Sequence, residues 1–214
     1  APAASLIRKL MAELGNAPDG TDILGALYQR WSLDGDKSRH GAFYTPLATA
    51  QAMADTCISQ SAYVLDPCCG SGVFLVAAAR RLKERQVKDW TPWVYGVDSD
   101  PVAVHAARLN LELELGAPFD FSAQVVCGDG TMPELLPTLP FGTFDVVLSN
   151  PPWGAQTTHT GGDTHGTAVT RSPCKDSFAT FTELGIRALR EGGLLSYLLP
   201  ESVFTTRSHH RVRQ

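Results

Sequence analysis

Buried-strand patterns alternate with helical patterns along most of this 214-residue chain, and this alternation constrains the fold more than any other feature. Strands that are apolar throughout are predicted at 63–68, 93–97, 124–127, 145–148 and 194–199. The main predicted helices lie at 73–85, 101–115 and 177–190, the last ended by a glycine pair at 192–193. Strands that are apolar on both faces and separated by helices indicate a parallel sheet covered on both sides. We therefore expect an α/β protein with a mostly parallel, doubly wound sheet.

A polar residue follows each of the first four predicted strands. These residues are Asp66, Asp98, Asp129 and Asn150, and their separations of 32, 31 and 21 residues each match roughly one strand–helix–strand unit. The carboxyl ends of parallel strands face one crevice, where sheets of this class bind ligands. A carboxylate after the second strand is well placed to accept both hydroxyl hydrogens of a ribose. Each Asp taken singly could equally be the N-cap of the next helix, but four strand ends in one pattern favour a ligand site.

A glycine-rich turn follows the first strand, in the sequence from Leu65 to Gly72. A dinucleotide fingerprint would need a third glycine at position 75, where Leu75 stands. The turn still lets a ligand approach the backbone closely. It therefore suits a smaller nucleoside cofactor better than a nicotinamide or flavin dinucleotide.

The tetrapeptide Asn150-Pro151-Pro152-Trp153 follows the fourth strand. An Asn side-chain oxygen and a proline-held carbonyl can converge on a planar NH2 group, and an adjacent indole can stack on the ring that carries it. In the alternative interpretation the prolines only end the strand. The glycine-rich turn upstream favours the chemical interpretation.

Composition excludes several classes of protein. With 43% hydrophobic and 19% charged residues, the chain can form one sizeable core, and no apolar run approaches the roughly 20 residues that span a bilayer. We expect a soluble, cytoplasmic protein without membrane contact. Five cysteines without CxxC spacing predict reduced thiols and no metal site. The net charge of −4 argues against a general nucleic-acid coat.

These motifs together resemble those of the gamma-class S-adenosylmethionine-dependent DNA adenine-N6 methyltransferases, which include type I modification subunits and fused type IIG enzymes. The resemblance covers about residues 20–204. Segments 66–72, 96–101, 127–129 and 150–153 resemble motifs I, II, III and IV, and segment 41–46, ahead of them, resembles motif X.

The resemblance implies a Rossmann-like class I methyltransferase fold with strand order 3-2-1-4-5. It implies an N-terminal helical extension at 1–40 and a catalytic domain at 41–214. The family's final strands and its target-recognition domain are not found in the 214 residues. We therefore expect a catalytic-domain fragment, or a protein whose recognition domain is supplied by another subunit, and little methylation of duplex DNA by this chain alone.

The resemblance also assigns roles to individual residues. Thr45 would bind the cofactor carboxylate, Asp98 the ribose, and Asp129 the adenine amino group of the cofactor. The full cofactor-binding set is Tyr44, Thr45, Asp66, Pro67, Gly70, Gly72, Phe74, Asp98 and Asp129. Within the catalytic set of Asn150, Pro151, Pro152 and Trp153, Asn150 and the Pro151 carbonyl would accept the two N6 hydrogens and Trp153 would stack on the base.

The function that the resemblance implies is methyl transfer from S-adenosyl-L-methionine to adenine N6, in a restriction-modification or phage-defence system. The target would be an adenine flipped out of double-stranded DNA. A specificity subunit or a further C-terminal domain would recognise the site. Two alternatives stay open: methylation of a protein glutamine or an RNA base, and a non-catalytic scaffold with this fold. The 154–177 stretch is expected to be a loop that closes over the flipped base, contacts DNA or is disordered.

Overall fold

The computed structural model describes residues 45–130, 142–152 and 177–205 of the chain. Several predicted features lie outside these ranges: the 1–40 helical extension, Tyr44, Trp153 and the 154–176 part of the predicted loop.

The described residues form five strands and five α-helices. The strands are β1 (Val64–Asp66), β2 (Val94–Asp98), β3 (Val125–Cys127), β4 (Phe144–Ser149) and β5 (Leu189–Tyr197). The helices are α1 (Leu47–Cys57), α2 (Val73–Glu84), α3 (Pro101–Leu115), α4 (Ser177–Ala188) and α5 (Ser202–Thr205). The first four strands lie within two residues of their predicted bounds at each end.

The strands form one sheet in the order β3-β2-β1-β4-β5, and each neighbouring pair is parallel. The predicted strand order is therefore confirmed. β1 lies at the centre, where Val64 pairs with Val94 on one side and Val146 on the other. Because all strands run the same way, their carboxyl ends, with the predicted polar residues, meet at one edge of the sheet.

Side chains of the three central strands alternate between two apolar clusters, one on each face of the sheet. The larger cluster combines Val64, Val94 and Val146 with buried residues of α1, α2 and α3. The smaller cluster combines Leu65, Tyr95 and Val147 with Ala188 of α4. Both faces are therefore covered, as the uniformly apolar strands predict.

Helix α3 has the predicted bounds because its sequence carries both end signals. Asp100 is the N-cap, and its side chain accepts a hydrogen bond of 2.8 Å from the backbone of Val102. Pro101 occupies the first turn, and Gly116 ends the helix at φ 74°. These signals fix the position of β2 relative to the helix that covers it.

The predicted boundary between α4 and β5 is wrong. The helix ends at Ala188 rather than at residue 190, and the strand begins at Leu189 rather than at residue 194. Leu189 pairs with Phe144, and the register then shifts until Leu194 pairs with Val146. Gly192, at φ 76°, therefore lies in an irregularity inside the strand instead of ending the helix.

Among the helices of the described residues, none has the length and apolar character needed to cross a membrane.

Candidate functional site

The glycine-rich turn joins the end of β1 to the start of α2. Gly70 and Gly72 have φ values of 52° and 88°, which favour glycine. Gly72 is also the N-cap of α2, and a Cβ there would lie 3.0 Å from the Cβ of Ala107. The turn consequently needs glycine at position 72 both for its conformation and for its packing against α3.

Asp98, at the end of β2, holds this turn in place. Its two carboxylate oxygens accept hydrogen bonds from the backbone of Gly70 at 2.8 Å and of Asp100 at 2.9 Å. Burial raises the pKa of the Asp98 carboxyl, although both backbone hydrogen bonds lower it. Since Asp100 is the N-cap of α3, the alternative role of Asp98 as an N-cap is wrong.

Asp66, at the end of β1, is 1% exposed and makes its polar contacts inside the protein. Its Oδ1 accepts hydrogen bonds from the Ser149 hydroxyl at 2.5 Å and from the Cys68 backbone at 3.1 Å. Burial raises the pKa of this carboxyl to about 7, against the opposing effect of the two hydrogen bonds. The N-cap alternative is wrong here too, because Gly72 caps α2.

Asp129 is exposed and lies in the segment that follows β3. This segment contacts the start of the glycine-rich turn. The Gly128 backbone donates a hydrogen bond of 2.9 Å to the Asp98 carbonyl. A Cβ at Gly130 would lie 1.7 Å from the carbonyl oxygen of Pro67, so only glycine fits there. This contact brings the Asp129 segment onto the predicted cofactor loop.

Asn150 follows β4, and its side-chain Nδ2 donates a hydrogen bond of 3.0 Å to the hydroxyl of Thr45. Thr45 is 3% exposed and directly precedes Pro46, the N-cap of α1. Because Nδ2 of Asn150 points to Thr45, the Oδ1 atom of the same amide points away from Thr45. Asn150 and Thr45, 105 residues apart in sequence, thus meet at one site.

The chain beyond Asn150 is held by α4. The Ser177 hydroxyl donates a hydrogen bond of 2.6 Å to the carbonyl of Pro152, and Pro151 is buried. These contacts fix the backbone that carries the two proline carbonyls. Ser177 opens α4 and closes the predicted 154–177 loop.

The structure brings most of the predicted site residues that it describes to one edge of the sheet. Thr45 precedes α1 and joins this edge through its hydrogen bond with Asn150. The others lie at the carboxyl ends of β1 to β4 or in the segments that follow them: Asp66, Pro67, Gly70, Gly72, Asp98, Asp129, Asn150, Pro151 and Pro152. Phe74 is different, because it is 2% exposed and packs in the larger core cluster beneath the turn. Its predicted contact with the cofactor ring stays a prediction, as do the assigned roles of the other residues.

Three residues of this edge were not identified from sequence: Ser149, Ser177 and Gly130. Ser149 and Ser177 have partners 83 and 25 residues away, so no local pattern marks them. Gly130 did carry a signal, since it forms a Gly-Asp-Gly sequence with Gly128 and Asp129. In the part of the chain that the structure describes, no group of three or more His, Cys, Asp or Glu could hold a metal ion.

Known proteins are similar to this chain in sequence and structure. The type II methyltransferase M.VspI from Vibrio sp. (strain 343) is 27% identical over 201 residues, which cover 92% of this chain and 45% of that protein. The ribosomal protein L11 methyltransferase from Pelobacter propionicus is 44% identical over 87 residues, covering 41% of this chain and 22% of that protein. The crystal structure of the type I restriction-modification system methyltransferase subunit from Streptococcus thermophilus is 26% identical, with a TM-score of 0.64, covering 90% of this chain and 43% of that one.

The similarity to the Streptococcus protein confirms the predicted methyltransferase fold. This chain spans less than half the length of M.VspI and of the Streptococcus subunit. A family model described as N-6 DNA Methylase matches residues 20–214, a range that contains the glycine-rich turn, the polar strand ends and Asn150. The chain therefore belongs to the N-6 DNA Methylase family.

Proposed function

We propose that the protein is a site-specific DNA methyltransferase that transfers a methyl group from S-adenosyl-L-methionine to N6 of adenine. The observation that carries this proposal is the placement of Asn150 beside the glycine-rich turn, with Ser149 bonded to Asp66 at the end of β1. A cofactor on the turn and an amine at Asn150 would then be neighbours. The similarity to a type II methyltransferase and to a type I system subunit supports a role in restriction-modification.

The residues at the sheet edge fit S-adenosyl-L-methionine. The two Asp98 oxygens each accept one backbone hydrogen bond and have further lone pairs for the ribose hydroxyls. Thr45 accepts from Asn150 through its oxygen, and its hydroxyl proton can donate to the cofactor carboxylate. Asp129 is exposed and can accept from an adenine amino group. When bound, the cofactor supplies an electrophilic methyl group on a sulfonium.

Asn150 and the Pro151 carbonyl act on the target amine. They accept the two N6 hydrogens, which disfavours delocalisation of the nitrogen lone pair into the ring and directs it towards the methyl donor. The hydrogen bond from Ser177 to the Pro152 carbonyl steadies this backbone. Trp153 stacks on the base. Rate enhancement then comes mainly from positioning and from fixed hydrogen-bond acceptors.

The substrate is duplex DNA with the target adenine flipped out of the stack, because N6 of a stacked base cannot reach a methyl donor in this crevice. The net charge of −4 gives the chain little general attraction for phosphate. A specificity subunit or a recognition domain therefore selects the DNA sequence that is methylated. Because the substrate is the DNA of the cell, the protein acts in the cytoplasm. The division of the chain into a helical extension at 1–40 and a catalytic domain from residue 41 stays a prediction.

The test is mass spectrometry of nucleosides after the natural protein that carries this chain is incubated with duplex DNA and methyl-labelled S-adenosyl-L-methionine. We expect label in N6-methyldeoxyadenosine. Label in methylcytosine, or no label in DNA at all, would refute the proposal. The same reaction with ribosomal proteins and RNA tests the alternative that the 87-residue similarity to the L11 methyltransferase favours.

The variant Asn150→Ala tests the chemical role of Asn150. It should lower methyl transfer about a hundredfold or more, while cofactor affinity measured by calorimetry changes little, because the lost hydrogen bond matters mainly in the transition state. Near-normal turnover of this variant would exclude the amine-binding role of Asn150.

A further inference from the structure

Ser149 is a buried residue in a side-chain cluster that joins the two halves of the proposed site. This cluster, hereafter the Ser149 cluster, consists of Asp66, Cys68 and Ser149. The Ser149 hydroxyl donates to Asp66 Oδ1 at 2.5 Å and lies 2.9 Å from the Cys68 sulfur. Ser149 is 0% exposed and Asp66 is 1% exposed, so water does not compete for the hydrogen bond between them, while Cys68 is half-buried.

The direction of each hydrogen bond follows from the number of protons available. A serine hydroxyl has one proton, and when Asp66 is ionised Ser149 donates that proton to the carboxylate. The Cys68 thiol is therefore the donor to Ser149, and burial raises its pKa so that it keeps its proton. Loss of the Ser149 oxygen would leave the buried Asp66 carboxyl and the half-buried Cys68 thiol without this partner.

The Ser149 cluster links β1 and β4 through side chains beyond the last paired residues of the two strands. The paired residues of β1 and β4 are Val64 with Val146 and Leu65 with Val147. Asp66 and Ser149 follow these pairs at the same edge, and there the link between the strands is made by side chains. On its other side Ser149 pairs with Tyr197 of β5.

The two strands so joined lead to different parts of the site. Two residues beyond Asp66 comes Cys68, and Gly70 and Gly72 of the glycine-rich turn follow. The residue directly after Ser149 is Asn150. A change in the cluster thus alters the distance between the cofactor turn and the amide that receives the target amine.

We propose that Ser149 is a positioning residue, which holds Asn150 at a fixed distance from the glycine-rich turn through its contacts with Asp66 and Cys68. This inference rests on the proposed function, since it concerns methyl transfer at Asn150. Ser149 is not a catalytic residue, because it is buried and acts through its neighbour. A displacement of about 1 Å between reacting groups can lower a rate about a hundredfold.

Ser149→Ala removes the hydroxyl and tests the proposal in the natural protein that carries this chain. We expect kcat at saturating cofactor and DNA to fall at least tenfold, with the cofactor Kd within about threefold of wild type. Ser149→Cys keeps a weak donor of similar shape and should recover part of the rate. It also keeps the proposal testable if the alanine variant does not fold.

Thr91→Val is the matched control. Thr91 is a buried hydroxyl that precedes the start of β2, at the opposite end of that strand from the site, and it donates to Asp89 at 2.6 Å, much as Ser149 donates to Asp66. It should lower the melting temperature to a similar degree and leave kcat unchanged. If Ser149→Ala had the kcat of wild type, or lost no more kcat than Thr91→Val, the positioning role would be refuted.

A second readout separates this inference from the proposed function. The side-chain amide resonance of Asn150 can be assigned by its loss in Asn150→Ala, and it should shift in Ser149→Ala and stay in place in Thr91→Val. If the wild-type protein makes no N6-methyladenine, the proposed function fails, while the shift still supports positioning. If methylation occurs and the resonance does not move in Ser149→Ala, the positioning role fails alone.

Discussion

Asp66 and Asp98 are carboxylates at the ends of neighbouring strands, and their surroundings give them different properties. Asp98 accepts two backbone hydrogen bonds at the rim of the glycine-rich turn. Asp66 accepts from Ser149 and lies fully inside the protein. Asp98 is therefore the residue of the pair that is suited to a ligand, and Asp66 is suited to holding the strand ends together. Each assignment leads to a separate prediction.

Asp98→Ala should weaken S-adenosyl-L-methionine binding about tenfold or more in calorimetry. The reason is the loss of charge-assisted hydrogen bonds to the ribose and of the acceptor that holds Gly70. Asp100→Ala is the matched control, since it removes the N-cap of α3 in the same loop. It should lower stability by about 1 kcal/mol and leave the cofactor Kd nearly unchanged. Equal cofactor affinities for wild type and Asp98→Ala would refute the ribose assignment.

Asp66 should make stability depend on pH in a defined window. Its folded pKa of about 7 lies above the ordinary value of about 4, so the folded state binds the proton more tightly. The free energy of unfolding should therefore fall as pH rises from about 4 to about 7, with a slope of up to ~1.4 kcal/mol per pH unit, and level off above pH 7.

Asp66→Asn provides the measurement, because its side chain does not titrate. Urea unfolding of wild type and variant at pH 4 to 8 gives a difference in which the other carboxylates largely cancel. This difference should favour wild type most at low pH and decrease towards pH 7. A difference that does not vary with pH would show that Asp66 has an ordinary pKa.

At the scale of elements, the site depends on how the segments after β1, β3 and β4 contact one another. The segment after β3 lies so close to Pro67 that Gly130 has no room for a side chain. The segment after β4 is tied to α1 through Thr45 and to α4 through Ser177. The rigid elements thus fix the loops that carry the proposed chemistry.

Gly130→Ala should disturb the site more than an ordinary glycine replacement. The added Cβ would lie 1.7 Å from the Pro67 carbonyl oxygen, so the two loops must separate. Gly142→Ala is the control, because Gly142 has φ 86° and open space around its Cβ position. It should cost only about 1–2 kcal/mol of backbone strain. We expect thermal melts to show the larger loss for Gly130→Ala, and calorimetry to show weaker cofactor binding for that variant alone.

The elements themselves were largely predictable from sequence, and their contacts were not. α3 was predicted with its observed bounds because Asp100, Pro101 and Gly116 mark its ends locally. β5 was predicted five residues too late, because its glycines read as a helix end while pairing with β4 decides the start of the strand. The Thr45–Asn150 and Ser149–Asp66 contacts join residues 105 and 83 positions apart, which only the folded chain brings together.

At the scale of the whole molecule, the parallel sheet was predictable from its apolar strands and intervening helices, whereas the strand order was predicted from the resemblance to a known family. Motif spacing then placed the polar strand ends at one edge, where the structure has them. The manner of DNA recognition does not follow from the same reasoning. The described residues include the glycine-rich turn and the Asn150 amide, and the chain spans less than half the length of M.VspI.

The 214-residue chain should bind duplex DNA weakly when it is tested alone. Its net charge is −4, and phosphate contacts provide most of the affinity in non-specific binding. Fluorescence anisotropy with a labelled duplex should give a Kd at or above roughly 10⁻⁴ M. This Kd should change little between about 50 and about 200 mM salt. Submicromolar affinity with a steep salt dependence would show that this chain carries the recognition surface itself.

The central place of β1 also sets the order in which the protein can fold during synthesis. β1 gains one neighbour when β2 emerges from the ribosome, and its other neighbour, β4, follows much later, with 82 residues between Tyr63 and its partner Asp145. At ~5–20 residues per second, translation of that stretch takes roughly 4–16 s. During this time the nascent chain carries the glycine-rich turn on a β1 strand that is still unpaired on one side. We expect ribosome-bound chains to become protease-resistant only once β4 and β5 have emerged, so that these two strands complete the site that β1 begins.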